Sequence, residues 1–160
     1  MTSDLGIDFK HENDFSPERR LVETMGAGGA LLDYDQDGDL DLYLAQGNIL
    51  DNPQSDLQNR LFRNDRRRFI DVTETAKVGH TGYAMGAVSA DYNGDGFPDL
   101  YITNLGSNVL YKNNGDRTFT DATKMANVES HLLSSSAAFG DLDLDGDLDL
   151  YVCNYVEYEL

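Results

Sequence analysis

This chain has one cysteine, three histidines, and 12 basic residues against 29 acidic ones in a length of 160. A single cysteine, Cys153, excludes an intrachain disulfide. It lies in the apolar run Tyr151-Val152-Cys153, which predicts a buried, inert thiol. The shortage of cations leaves a net charge of −17, which argues against nucleic acid or an anionic membrane as partner. No apolar run approaches the ~18 residues of a membrane-crossing helix, so no membrane insertion is expected. Met1-Thr2-Ser3-Asp4 lacks the basic start and apolar core of a secretion leader. His11, His80 and His131 stand in unrelated contexts, without a nucleophile–base pairing, so no catalytic triad and no enzyme is expected. Ser134-Ser135-Ser136 reads as a packed small-residue strand, and Arg66-Arg67-Arg68 as a hairpin tip paired with neighbouring acids or with another subunit.

The acidic residues are concentrated and regularly placed. Thirteen of the 29 lie in three nine-residue stretches. Loop one is Asp33-Tyr34-Asp35-Gln36-Asp37-Gly38-Asp39-Leu40-Asp41. Loop two is Asp91-Tyr92-Asn93-Gly94-Asp95-Gly96-Phe97-Pro98-Asp99, and loop three is Asp141-Leu142-Asp143-Leu144-Asp145-Gly146-Asp147-Leu148-Asp149. Like charges this close repel unless a cation lies among them. Calcium is a hard cation that takes six to eight oxygens. Positions one, three and five (Asp33, Asp35, Asp37; Asp91, Asn93, Asp95; Asp141, Asp143, Asp145) supply side-chain oxygens. Position six is Gly38, Gly96 or Gly146, where the bend needs a conformation glycine reaches easily. Position seven (Asp39, Phe97, Asp147) binds through its carbonyl, which leaves its side chain free to vary. Position nine (Asp41, Asp99, Asp149) closes the shell, read as bidentate. No cysteine or histidine lies in the loops, which argues against zinc, and magnesium prefers a smaller, more hydrated site. An EF-hand needs a glutamate at position twelve, where this chain has Leu44, Ile102 or Val152. Acidic turns without a metal are the alternative reading.

The loops recur at periods of 58 and 50 residues, a spacing typical of propellers and solenoids. Each follows a run of small residues, Gly26–Leu32, Gly86–Ala90 or Ser136–Gly140, suited to a crowded inner strand. After each comes Leu-Tyr-[Leu/Ile/Val], and twice a hairpin follows: Asn59 to Asn64 and Asn108 to Asn113, closing in Phe69–Thr73 and Phe119–Thr123. The expected fold is all-β, with propeller-type blades of four antiparallel strands. There are about two and a half blades, and the ring stays open. One repeat domain covers 1–160: 1–25 as N-terminal link and partial strand, 26–75 as blade one, 76–125 as blade two, and 126–160 as half of blade three. The extra residues of the first period form a polar insertion over 47–58, read as a surface loop.

Taken together, Gly6-Ile7-Asp8-Phe9 with His11-Glu12-Asn13, Glu23-Thr24-Met25-Gly26, the three loops, Leu110-Tyr111-Lys112-Asn113-Asn114-Gly115 and Phe119-Thr120-Asp121 resemble FG-GAP/VCBS repeat β-propellers. Such repeats occur in integrin α-subunit heads and bacterial surface proteins, and the branch with cartilage acidic protein is the nearest likeness. The blades are too few for a closed head, and the Phe-Gly and Gly-Ala-Pro signature is blurred. The resemblance implies an extracellular, calcium-stabilised scaffold that makes ligand contacts at its rims. The expected role is structural or adhesive, with calcium rigidifying each loop and self-association, or another protein or carbohydrate surface, as partner. A head-to-tail filament is one form of that association. The alternative is a fragment or accessory domain of a larger secreted receptor, adhesin or enzyme.

Overall fold

The structure is a computed structural model that describes residues 3–13, 16–50 and 55–155. Blade one is an antiparallel sheet in the order β1 (Gly29–Leu32), β2 (Asp41–Leu44), β3 (Arg60–Asn64), β4 (Phe69–Asp71). Blade two repeats it with β5 (Tyr83–Ala90), β6 (Asp99–Leu105), β7 (Val109–Asn113) and β8 (Phe119–Asp121). The third blade contributes β9 (Ser134–Gly140) and β10 (Asp149–Asn154). The fold is all-β, with open propeller-like blades. The centre of the insertion expected as a surface loop, residues 51–54, lies outside the described residues.

The small residues of the inner strands do what their size predicts. The Gly28 N–H donates to the Met85 carbonyl at 3.0 Å. A Cβ on Gly28 would lie 3.4 Å from the Gly86 Cα, and one on Gly86 3.5 Å from the Ser135 carbonyl oxygen of the third blade. The inner strands of successive blades therefore meet backbone to backbone. Further out, Leu32, Tyr34, Tyr43 and Leu61 of blade one and Val78 of the link beyond it pack with Leu100, Ile102, Tyr111 and Phe119 of blade two. Tyr101, Leu110 and Ala122 of blade two meet Phe139, Leu150 and Val152 of the third.

Two relays recur and hold each blade's shape. Tyr43 Oη donates to the Val78 carbonyl at 3.1 Å and accepts from Asn59 Nδ2 at 3.0 Å. In blade two, Tyr101 Oη donates to the Val128 carbonyl at 3.2 Å and accepts from Asn108 Nδ2 at 3.1 Å. These hydroxyls tie the second strand to the third and to the link beyond the blade. The fourth strand is shorter than the sequence suggests and stops at Asp71 or Asp121 rather than running on to Thr73 or Thr123. Asp71 Oδ1 accepts from the Thr73 N–H and hydroxyl, and Asp121 does the same for Thr123, which turns the chain out of the sheet. Thr73 Oγ1 then accepts from the Leu61 N–H at 3.0 Å, and Thr123 Oγ1 from Leu110 at 2.9 Å. A one-turn helix, α1 (Thr73–Ala76), follows the first of these turns and is capped by Lys77 in the left-handed region. Gly6 and Asn127, at the same place in their links, share that conformation.

The N-terminal segment, expected to hold a partial strand, contains instead two short 3-10 turns, Ser3–Leu5 and Leu21–Thr24, among its described residues. Val22 packs with Tyr83 and Met85 of blade two and with Leu133 at the start of the third, and Tyr83 Oη donates to the Asn13 and Val22 carbonyls. Cys153 is exposed, not buried as its apolar run suggested. Its counterparts two residues beyond the blade tyrosine, Ala45 and Thr103, are buried by the next blade. Nothing among the described residues covers that face of the third blade.

Candidate metal loops

Each loop connects the first and second strands of a blade, and the position-one aspartate shapes it. Asp33 accepts from the Asp37 and Gly38 N–H groups, both at 3.0 Å. Asp91 does the same for Asp95 and Gly96, and Asp141 for Asp145 and Gly146. The position-five carboxylate then accepts from the position-seven N–H: Asp37 from Asp39, Asp95 from Phe97, Asp145 from Asp147. The bend needs left-handed backbone at two places. Position six has it at Gly38, Gly96 and Gly146. Position four has it too, at Gln36, Gly94 and Leu144, and only one of these is glycine.

These turns aim carboxylates at a common point. Ligand atoms of Asp33, Asp35 and Asp37 lie within 4.8 Å of one another, as do those of Asp141, Asp143 and Asp145. Oxygens bound at 2.3–2.6 Å to one calcium fall within such a span. In loop two Asn93 supplies an amide oxygen at position three, and the backbone follows the same course. Asp39 and Asp147 at position seven lie outside these carboxylate groups, and the Phe97 ring packs over the Gly115 turn.

Position nine is anchored. Asp41 is fully buried and accepts from the Tyr34 N–H at 3.0 Å and the Asn64 N–H at 2.8 Å. Asp99, likewise buried, accepts from Tyr92 and Asn113 at 3.2 and 2.7 Å. Asp149 accepts from Leu142 at 2.9 Å. Burial pushes Asp41 and Asp99 up to about 6, against the pull of their backbone donors, with the other loop aspartates adding to the rise. In loop two Asn93 Nδ2 lies 3.4 Å from Asp99 Oδ2, so positions three and nine are neighbours.

Asp35 holds a buried carboxylate oxygen, Oδ1, without a hydrogen-bond partner. Its side chain is 1% exposed. Burial raises its pKa, and the nearby Asp37 raises it further. A buried, unpartnered carboxylate oxygen beside two more carboxylates is costly unless a cation joins them. The donor set is all oxygen, so these residues fit a hard divalent cation.

The hairpins after the third strand bring cations to the loops. Arg66 Nε lies 2.7 Å from Asp39 Oδ2, in line with the expected pairing of the arginine tip. Lys112 Nζ is 3.1 Å from Asp95 Oδ2, and Arg117 Nε is 3.5 Å from Asp35 Oδ2 across the blade boundary. The sequence reading missed Lys112 and Arg117; a basic residue beside each hairpin turn was the available signal. Loop one also touches loop two, where Gln36 Nε2 donates to the Gly96 carbonyl at 2.5 Å. Asn113 Nδ2 donates to the Tyr34 carbonyl at 2.9 Å, and the Tyr34 ring stacks on Phe119.

At the far end of blade two is a groove of about 540 Å³ lined by His80, Ser107, Asp121, Lys124, Glu129 and His131. Ser107 Oγ and His131 Nδ1 are 3.0 Å apart, a contact the sequence did not suggest. Both residues are exposed.

Acidic loops repeated between the first two strands of successive blades define a propeller-type repeat protein. Residues 33–102 and 91–152 match the FG-GAP-like repeat, and the chain belongs to that family. Its repeats are typical of extracellular, adhesive and propeller domains and are generally structural rather than catalytic. No curated protein matches the chain. No helix among the described residues is long and apolar enough to cross a membrane.

Proposed function

We propose that this chain is a calcium-binding structural or adhesive module of the extracellular VCBS and cartilage-acidic-protein type, in which three loops clamp one calcium each and stiffen the start of a strand. The observation that carries this reading is Asp35 Oδ1, buried without a partner beside Asp33 and Asp37. Positions one, three and five supply side-chain oxygens, position seven its carbonyl, and position nine a carboxylate that also anchors the loop. Affinities of about 10⁻⁴–10⁻³ M, usual for extracellular modules, suit a calcium-rich exterior. Calorimetric titration tests the reading: about three calcium ions should bind per chain. No binding at millimolar calcium would refute it.

The module's partner is a second copy, joined head to tail. Tyr151 is 62% exposed, whereas Tyr43 and Tyr101 at the same position are fully buried by the next blade. Blade two covers loop one with Phe119 and Arg117. Blade one carries Phe69 beside Arg67 and Arg68 at the matching hairpin, which suits the acidic loop three. The second reading, favoured by the same exposed face, is an accessory part of a larger secreted receptor, adhesin or enzyme. Contact with another protein or a carbohydrate belongs with that reading. Sedimentation velocity in calcium separates the two. Self-association predicts larger species as concentration rises and their loss in Arg67→Glu/Arg68→Glu, and an invariant monomer rejects it.

A further inference from the structure

We propose that the three loops fill with calcium in a fixed order, loop three first and loop two last, because the hairpins supply built-in competing cations to loops one and two. The inference rests on the calcium reading and concerns how the same sites are graded.

Loop two is the most compromised. Asn93 replaces a carboxylate at position three, and Phe97 replaces one at position seven, which leaves Asp91, Asp95 and Asp99. Both oxygens of the position-five carboxylate are engaged. Asp95 Oδ1 accepts from the Phe97 N–H at 3.1 Å, and Oδ2 holds the Lys112 ammonium at 3.1 Å. Calcium can use this side chain fully only when Lys112 leaves it.

Loop one keeps five carboxylates, and its cations stand to the side. Arg66 pairs with Asp39, whose side chain lies outside the cluster. Arg117 approaches only Oδ2 of Asp35 and leaves Oδ1 free. Loop three also has five carboxylates, and among the described residues no Lys, Arg or His forms an ion pair with Asp141 through Asp149. Affinity of an all-oxygen calcium site rises with its charge count, so the order follows from these inventories.

Lys112 is therefore an affinity-setting residue that need never touch the metal. An exposed ion pair of this kind changes an equilibrium by about 1.5- to 5-fold. The position-six amides of Gly38, Gly96 and Gly146 give one reporter per loop. In a calcium chloride titration of the whole chain followed by ¹H–¹⁵N spectra, Gly146 should saturate first and Gly96 last. Lys112→Met should lower the Gly96 midpoint by about 1.5- to 5-fold and leave Gly146 unmoved, and Lys112→Arg should restore the wild-type midpoint. Equal midpoints in the wild type, or a Gly96 midpoint that ignores Lys112→Met, overturn the inference while leaving calcium binding intact. If none of the three glycines responds to calcium, the underlying reading fails with it.

Discussion

Removing calcium should cost this protein a large part of its thermal stability. A metal that binds only the folded chain stabilises it by RT ln(1 + [L]/Kd). With dissociation constants of about 10⁻⁴–10⁻³ M and 10 mM calcium, each loop contributes about 1.4–2.7 kcal/mol. Three loops together contribute about 4–8 kcal/mol. For a domain of this size one kcal/mol moves the midpoint by about 2–4 °C, so chelation should lower it by about 10–30 °C. The structure explains the direction: without the ion, carboxylate atoms must stay within 4.8 Å of one another, and Asp35 Oδ1 stays buried and unpartnered.

The assay is a circular-dichroism melt in calcium, in EDTA, and in magnesium at matched ionic strength. Matched salt matters because general screening of 29 acidic residues would also raise the melting point. Asp35→Asn, which keeps an oxygen but loses the charge and makes position three match Asn93 of loop two, should weaken loop one without abolishing it and shrink the calcium-dependent shift by less than about a third. A melting point that moves by less than about 1 °C on chelation refutes the reasoning, and so does a magnesium shift as large as calcium's.

Tyr43→Phe should destabilise the fold by about 1–3 kcal/mol, because it strips a buried hydroxyl from both Asn59 and Val78; Tyr151→Phe, at an exposed position, should cost almost nothing. Equal urea midpoints for the two variants would count against the relay. Leu144→Gly should stabilise by about 0.5–1 kcal/mol, since Leu144 is exposed and holds φ +64°; a lower melting point than wild type would contradict this. Burial holds the His80 pKa below its usual 6.5, against the opposing pull of Asp121. The unfolded chain therefore takes up that proton first as pH falls. His80's contribution is complete above pH 6.5 and is lost as pH drops towards and through its folded value. In saturating calcium, His80→Gln should flatten stability between pH 7.5 and 5, and an unchanged slope would reject the assignment.

Repetition made most of this fold legible in the sequence. Loops, tyrosines, asparagines and links recur in register, so each copy checks the others, and the four-stranded blades follow. What one copy alone carried was harder to read. The N-terminal segment has no second copy to compare, and its packing through Val22 against Tyr83 and Leu133 depends on a three-dimensional convergence. The early stop of the fourth strand lay in the Asp-x-Thr of Asp71 and Asp121, which local strand propensity passes over. Left-handed positions at Lys77, Asn127, Gln36 and Leu144 carry no glycine signal. Of the candidate site, positions one, three and five were readable from spacing. The anchoring of position nine and the reach of Lys112 and Arg117 were not, because they join residues on different strands or blades.

Cys153 shows how far a local reading can carry. Its run is apolar, and burial follows from that run if a blade lies in front of it. Ala45 and Thr103, at the same register in the first two blades, are buried by their neighbours. In this architecture, burial belongs to the interface between blades, not to the strand that carries the residue. The loops obey the same rule. Loop one is stitched to blade two through Tyr34 on Phe119, Asn113 on the Tyr34 carbonyl and Arg117 on Asp35. On the proposed reading, a calcium ion bound in loop one would stiffen the joint between two blades as well as one strand. Loop three repeats the acidic pattern without a described partner in front of it. If the proposed head-to-tail contact forms there, its calcium would order the face that contact uses, and blade-to-blade docking and metal binding should rise and fall together.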